Sequence, residues 1–313
     1  MAKSRIDGMV DRPIFVVGTG RSGSTIFHKI FAEHPVVAWQ SPFCDLFPDR
    51  PGANGVLLRM ADLPIVGQVL KRYFRPGERY KYWDHLCPGF SQPCRDLLAS
   101  DVTARVLRKA PGAVARLATP RRRRVLVKLT GWPRVGYLRE LFPDAKFIHV
   151  YRDGRAVANS LLEVGFWRGW QGPGGWRAGE LTSAQRAEWE RHGRSFVALA
   201  GIQWKLMMAA MDTAAANVPA ANFLPVRYED LMANPVACFK RVTEFCELDW
   251  AARFEQAILR QQLRPANDKW RVDLTDVQRA ILDSVLAEAL PRYGYAPALQ
   301  GPSVRRLSTA CSG

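Results

Sequence analysis

The chain has 313 residues, 48% of them hydrophobic, enough for one large α/β domain or two small ones without disulfide or metal staples. Lys and Arg number 45 against 29 Asp and Glu, a formal charge of +16, which points to acidic partners such as nucleotides, nucleic acid or anionic surfaces. The six cysteines show no CxxC pair or zinc spacing, and no segment reaches the ~20 apolar residues of a membrane span, so the expectation is a soluble, cytoplasmic protein with free thiols and no metal site.

The first periodic stretch, PIFVVGTGRSGSTIFH over residues 13–28, predicts a short buried strand at 14–17 and a glycine-rich turn at Gly18, Gly20 and Gly23. A helix opens at Ser24 and Thr25. Such a turn leaves unpaired backbone N–H groups and the positive end of the helix dipole facing one small space, which suits phosphate or sulfate. Ile26, Phe27, Ile30 and Phe31 continue the helix, Pro35 stops it, and residues 36–39 read as a second strand. From 41 to 89 the pattern weakens and Tyr73, Phe74, Tyr80, Tyr82 and Trp83 crowd together, either as packing or as a wall against an acceptor.

After the basic cluster Arg121 to Arg124, residues 124–129 read as a buried strand, 135–142 as a short helix, 146–151 as another strand and 152–160 as the entry to a helix. Residues 171–179, flanked by Trp167, Trp170 and Trp176, read as a mobile surface loop with aromatic anchors. One long helix is predicted over 184–216, with Met207 and Met211 as core filler. A strand at 223–226 leads into RYEDL; Asn234-Pro235 opens the next helix, and Thr275 with Gln278 forms a capping box for the last, which ends near Pro291. Strands separated by helices predict an α/β fold, a central parallel sheet flanked by helices, in a single domain over 1–298 with a disordered tail at 299–313. Ligands of such sheets bind beyond the carboxyl ends of the strands, which puts the turns at Gly18 and Arg152 on one edge.

Gly18-Thr-Gly-Arg-Ser-Gly23 matches both a dinucleotide fingerprint and, with Ser24-Thr25, most of a phosphate-binding loop. The dinucleotide reading lacks an acidic residue near position 40, where Gln40 to Cys44 stand. The triphosphatase reading lacks Lys at Ser24 and has Arg21 inside the loop instead. That favours a donor with less charge than a triphosphate, such as a sulfuryl group on a phosphate, held by an arginine, hydroxyls and backbone amides without metal. Arg152 at a strand end and Ser160 two helical turns later provide for a second phosphate.

These two motifs, in this order, resemble the 5′-phosphosulfate loop and the 3′-phosphate motif of sulfotransferases that use 3′-phosphoadenosine 5′-phosphosulfate. The resemblance extends through 125–133, 227–234 and Lys269-Trp-Arg271, and is to the broad bacterial and Golgi-type group, since Arg21 replaces the lysine of the cytosolic phenol and steroid enzymes. It implies a P-loop-like fold in which Arg21, Ser22, Gly23, Ser24 and Thr25 hold the phosphosulfate and Arg152 and Ser160 the 3′-phosphate. Tyr228, Lys269 and Trp270 would stand at the adenosine end, and Lys128 would neutralise charge on the transferred group. The implied reaction is in-line sulfuryl transfer to a hydroxyl of a small-molecule, lipid or sugar acceptor, giving adenosine 3′,5′-bisphosphate. Family members place a Glu or His base where this chain has Ser41-Pro42 or Thr130, so the expected base is Asp45, with His85 next. The rival readings are a small-molecule kinase with Mg²⁺ on Thr25 and Asp153, and a basic nucleic-acid-binding protein, for which no recognition motif appears.

Overall fold

The computed structural model describes residues 10–63, 67, 69–70, 73–91, 94–263 and 266–296; the tail expected at 299–313 and Cys311 lie outside the described residues. Strands β1 (Ile14–Gly18), β2 (Val37–Trp39), β3 (Arg124–Thr130), β4 (Lys146–Tyr151) and β5 (Phe223–Arg227) form one parallel sheet in the order β2-β3-β1-β4-β5. The chain leaves β1 toward one edge and later crosses to the other, so the C-terminal end of β1 is the topological switch point where such sheets bind ligands.

Both faces of the sheet are covered, which is why its strands read as continuous apolar runs rather than as alternations. Phe15 and Val17 of β1, with Val125, Val127 and Leu129 of β3, pack against Trp83, Phe90, Leu138 and Phe142. Ile14, Val16, Leu126, Ile148 and Val150 face the helix α1 (Ser24–Phe31) and the helix Pro235–Phe245, whose Phe239 stacks on Phe27 with ring centroids 5.0 Å apart. Full burial of one such side chain contributes about 1.5–3 kcal/mol. A third cluster joins the helix Gly154–Leu162 to Phe196–Ala216 and Asp276–Leu286 through Val157, Trp204 and Leu282.

Several expectations are corrected. The helix over 184–216 is two helices, Ser183–Arg191 and Phe196–Ala216, because Gly193 and Arg194 adopt φ of 63° and 57° and the Ser195 hydroxyl caps the second by accepting from Val197 N. Of the three aromatic anchors expected around 171–179, Trp167 and Trp176 are buried, Trp176 donating to the Gly179 carbonyl at 2.6 Å, while Trp170 is exposed. The final capped helix stops at Leu286, with a 3₁₀ turn over Leu290–Tyr293. Half of the Arg121 to Arg124 cluster is internal scaffolding. Arg122 holds Asp62 at 2.7 Å and the Val37 carbonyl at 2.8 Å, and Arg124 donates to the Cys246 and Arg12 carbonyls. Cys44, Cys87, Cys238 and Cys246 are buried free thiols and Cys94 an exposed one. No helix among the described residues is long and apolar enough to cross a membrane.

His149 on β4 is buried with its Nε2 unpartnered, and burial holds its pKa down at about 3. His28 is likewise held at about 3, by burial and by the charges of Lys128, Arg79 and Lys29. Because the unfolded chain binds these protons below about pH 6.5 and the native state does not, stability is full above that pH and falls as pH drops toward 3. Replacing His149 with Phe, which needs no partner for Nε2, should remove up to about 1.4 kcal/mol per pH unit from that slope. Urea unfolding between roughly pH 6 and 4 measures it; an unchanged slope in the variant contradicts the assignment.

Candidate active site

The loop between β1 and α1 is shaped by close approaches. A Cβ on Gly18 would sit 2.5 Å from the Val150 carbonyl oxygen, so only glycine lets the strand end this near β4. Gly20, Arg21 and Gly23 then take φ of 77°, 56° and 85°, a left-handed path that turns the chain back over the end of β1. For Arg21 that conformation carries a steric cost, of the kind found where a binding loop is held by its surroundings. Gly23 is the N-cap of α1 and provides no side-chain cap. The first amide bonded within the helix is that of Ile26, to the Gly23 carbonyl at 3.1 Å, which leaves the amides of Ser24 and Thr25 ahead of it. Beside them the Ser22 hydroxyl is fully buried and has no hydrogen-bond partner. A buried orphan hydroxyl at an uncapped helix N-terminus offers hydrogen-bond donors with the chemistry an anion needs.

The cations expected around this loop converge on it. Arg21 Nε donates to Ser160 Oγ at 2.9 Å, tying the loop to the last turn of the helix Gly154–Leu162. Lys128 pairs in register with Val16 on β1 and reaches across to the Thr25 hydroxyl at 2.8 Å, although its side chain is only 7% exposed. Arg152, at the end of β4, lies over the Tyr228 ring at 4.5 Å and donates to Asn267 Oδ1 at 3.0 Å and to the Ala266 carbonyl. Burial pushes its guanidinium below the usual arginine range, a penalty that an anionic partner would offset. Tyr228 is buried and its ring also closes the back of the loop, against Gly23.

Asp45, His85, Lys269 and Trp270 have other surroundings. Asp45 accepts from the Tyr82 amide at 3.0 Å and faces Arg79 at 3.8 Å, so its carboxylate anchors the start of the helix Tyr80–Leu86. His85 is half exposed and paired with Asp49 at 2.8 Å. The Trp270 ring is buried, with the guanidinium groups of Arg155 and Arg271 4.8 Å and 4.5 Å from its centroid. The exposed Lys269 precedes it, and the segment touches the site through Ala266 and Asn267 instead. Tyr82 and Trp83 are core packing, not an acceptor wall.

The carboxylate that does stand at the site is Glu78. It accepts from Thr130 Oγ1 at 2.7 Å and pairs with Lys128 Nζ at 3.2 Å. Tyr80 fixes it there by donating to the Thr130 carbonyl at 3.0 Å while accepting from the Thr130 amide at 3.2 Å. Sequence reasoning missed it because RPGERY shows neither helical nor strand period; its one signal was a carboxylate between two arginines beside the aromatic run.

The family model described as "Sulfotransferase family" matches residues 13–252, which include the loop, Lys128, Arg152, Ser160 and Tyr228. The chain belongs to this family. Among curated relatives it is 28% identical to protein-tyrosine sulfotransferase A of Caenorhabditis elegans over 53% of this chain, and spans only 43% of the length of that relative. It is 25% identical to the omega-hydroxy-beta-dihydromenaquinone-9 sulfotransferase Stf3 of Mycobacterium bovis, over 92% of this chain and 76% of Stf3. Among solved structures it shares the fold of the sulfotransferases STF9 from Mycobacterium avium, with TM-score 0.58, and STF1 from Mycobacterium tuberculosis H37Rv, with TM-score 0.51. Each is 16% identical; STF9 is matched over 93% of this chain and 79% of its own, STF1 over 90% and 78%.

Gly23 leaves no room for a side chain. A Cβ there would lie 2.2 Å from Tyr228 Cδ2, in addition to the left-handed φ. Gly23→Ala should therefore destabilise by about 2–4 kcal/mol, about half of it backbone and half overpacking. In a double-mutant cycle with Tyr228→Ala, measured by urea unfolding, the overpacking half of about 1–2 kcal/mol should vanish. Additive effects contradict the contact.

Proposed function

We propose that this sulfotransferase takes a sulfuryl group from 3′-phosphoadenosine 5′-phosphosulfate and passes it to an acceptor hydroxyl by in-line displacement. The observation that carries the reading is the Arg21 to Ser160 hydrogen bond. It joins the uncapped N-terminus of α1 to the helix that follows Arg152, so that two anion-holding groups flank one opening at the switch point of the sheet. A donor with a phosphosulfate at one end and a phosphate at the other fits that pair of sites.

In this reading the amides of Ser24 and Thr25, the orphaned Ser22 hydroxyl and Arg21 hold the phosphosulfate end, and Arg152 with Ser160 holds the 3′-phosphate over Tyr228. The donor supplies an activated sulfuryl group on a good leaving phosphate. Lys128, held between Thr25 and Glu78, is placed to neutralise the charge that develops on the bridging oxygen as the sulfuryl group departs. Glu78 replaces Asp45 and His85 as the base: its carboxylate accepts the proton of the acceptor hydroxyl while that oxygen attacks sulfur. The two curated relatives are named for a protein tyrosine and an omega-hydroxy dihydromenaquinone, unlike in size but alike in presenting a hydroxyl.

The kinase reading loses its metal ligands. The Asp153 carboxylate is occupied by Arg155 Nε at 3.0 Å and Nη2 at 2.7 Å, and the Thr25 hydroxyl already carries the Lys128 ammonium where a magnesium ion would go. The nucleic-acid reading is weakened by the internal roles of Arg122 and Arg124.

Glu78→Gln keeps an acceptor for Thr130 but cannot take a proton. Turnover of radiolabelled donor onto phenolic and long-chain alcohol acceptors should fall by about 10²–10⁴-fold in kcat, with donor affinity and thermal unfolding unchanged. Unchanged kcat would return the base to another group.

A further inference from the structure

Lys128 and Thr130 are two residues apart on β3, so their side chains leave the same face of the sheet. Both end on one carboxylate oxygen: Glu78 Oε1 lies 3.2 Å from Lys128 Nζ and accepts from Thr130 Oγ1 at 2.7 Å. Each also reaches the loop between β1 and α1. Lys128 donates to the Thr25 hydroxyl at 2.8 Å. Thr130 pairs in register with Gly18, the next amide, of Gly131, donates to the Gly18 carbonyl at 2.9 Å, and Thr130 Oγ1 lies 3.9 Å from the point where a Cβ on Gly20 would stand. Because Gly20 carries no side chain, that space beside the hydroxyl stays free. Glu78 is thus linked to the loop through Lys128 and Thr130.

Only one of these two links can pass on a proton. An ammonium has hydrogens to donate and no lone pair to accept with, whereas a threonine hydroxyl donates and accepts at the same oxygen. With its hydrogen directed at Glu78, Thr130 Oγ1 keeps lone pairs for a second donor. Its position is fixed on both sides, since the Tyr80 hydroxyl donates to the Thr130 carbonyl at 3.0 Å and accepts from the Thr130 amide at 3.2 Å. The β-branch of threonine further restricts χ1. We propose that Thr130 is a catalytic residue, relaying the proton of the acceptor hydroxyl to Glu78.

The relay rests on the reaction proposed above, with Glu78 as the group on which the proton ends. As the acceptor oxygen attacks sulfur, its hydrogen passes to Thr130 Oγ1 while the Thr130 hydrogen passes to Glu78 Oε1. The bond from the acceptor oxygen to sulfur forms as the bond from sulfur to the bridging oxygen breaks, and that electron pair leaves on the 5′-phosphate beside Lys128. Thr130 is neutral before and after, and Glu78 carries the proton. Because the two hydrogens move together, no alkoxide forms on threonine.

The test is single-turnover transfer from radiolabelled 3′-phosphoadenosine 5′-phosphosulfate to phenolic and long-chain alcohol acceptors, run by the full chain in mixtures of light and heavy water. For the wild type the rate should follow a bowed curve against the heavy-water fraction, because more than one hydrogen moves in the step. A hydroxyl that merely holds Glu78 in place gives a straight line. Thr130→Val, which removes the hydroxyl and keeps the shape, should lose about 10²–10⁴-fold in rate. Thr130→Ser should recover to within about tenfold of the wild type, and Thr130→Val combined with Glu78→Gln should be no slower than the slower of the two, since the pair acts as one unit. Thermal unfolding and affinity for adenosine 3′,5′-bisphosphate should stay native throughout. A straight line for the wild type, or an undiminished rate in Thr130→Val, overturns the relay. If Glu78→Gln is slow while either of those holds, Glu78 takes the proton directly and the base assignment survives the relay; if Glu78→Gln is itself undiminished, both fail. Bisphosphate affinity reports the donor site separately from either.

Discussion

The uncapped N-terminus of α1 is the constraint from which the rest of the site follows. Helix amides pointing at an empty corner are costly unless water or an anion meets them. The loop has been shaped to leave that corner open: Gly18 permits the strand to end against Val150, and Gly23 caps with backbone alone because Tyr228 occupies the space a side chain would need. The buried Ser22 hydroxyl adds a polar group with no partner of its own.

Around that corner every cation is already held in place by a neutral group, a carboxylate or an aromatic face. Arg21 rests on Ser160, Lys128 on Thr25 and Glu78, and Arg152 on Tyr228, Asn267 and the Ala266 carbonyl. Such contacts reduce the ordering cost of binding, since long side chains are close to their working positions beforehand. The same logic explains why charge alone was a poor guide. The overall +16 includes Arg122 and Arg124, which are buried and hold β2, the end of the helix Gly52–Ala61 and the N-terminal strand together.

Strands β1 and β4 and the turns after them were legible because apolar runs between glycines, and an arginine at a strand end, have few alternatives in a parallel sheet. The Asn234 and Thr275 caps were legible because their chemistry is local: each side chain accepts an amide within three residues. The break at Gly193 lies where the polar helix Ser183–Arg191, which buries no residue, meets the apolar helix Phe196–Ala216, and Ser195 was its local cap signal. Glu78 was hidden, since its position depends on Tyr80 and Thr130, some fifty residues apart in sequence. Trp270 is the residue the resemblance names, and its buried ring has the Arg155 and Arg271 guanidinium groups 4.8 Å and 4.5 Å from its centroid, surroundings that its sequence neighbours do not announce.

The central claim is that one opening holds two separate anionic groups of a single donor. Titration calorimetry with adenosine 3′,5′-bisphosphate, adenosine 5′-phosphate and ATP with Mg²⁺, on the wild type and Arg152→Ala, tests it most directly. The account predicts metal-independent binding of the bisphosphate, weaker by at least about tenfold when the 3′-phosphate or the Arg152 guanidinium is missing, with native thermal unfolding in both proteins. Equal affinity for the two adenosine phosphates, or tighter binding of ATP with Mg²⁺ than of the bisphosphate, would contradict it.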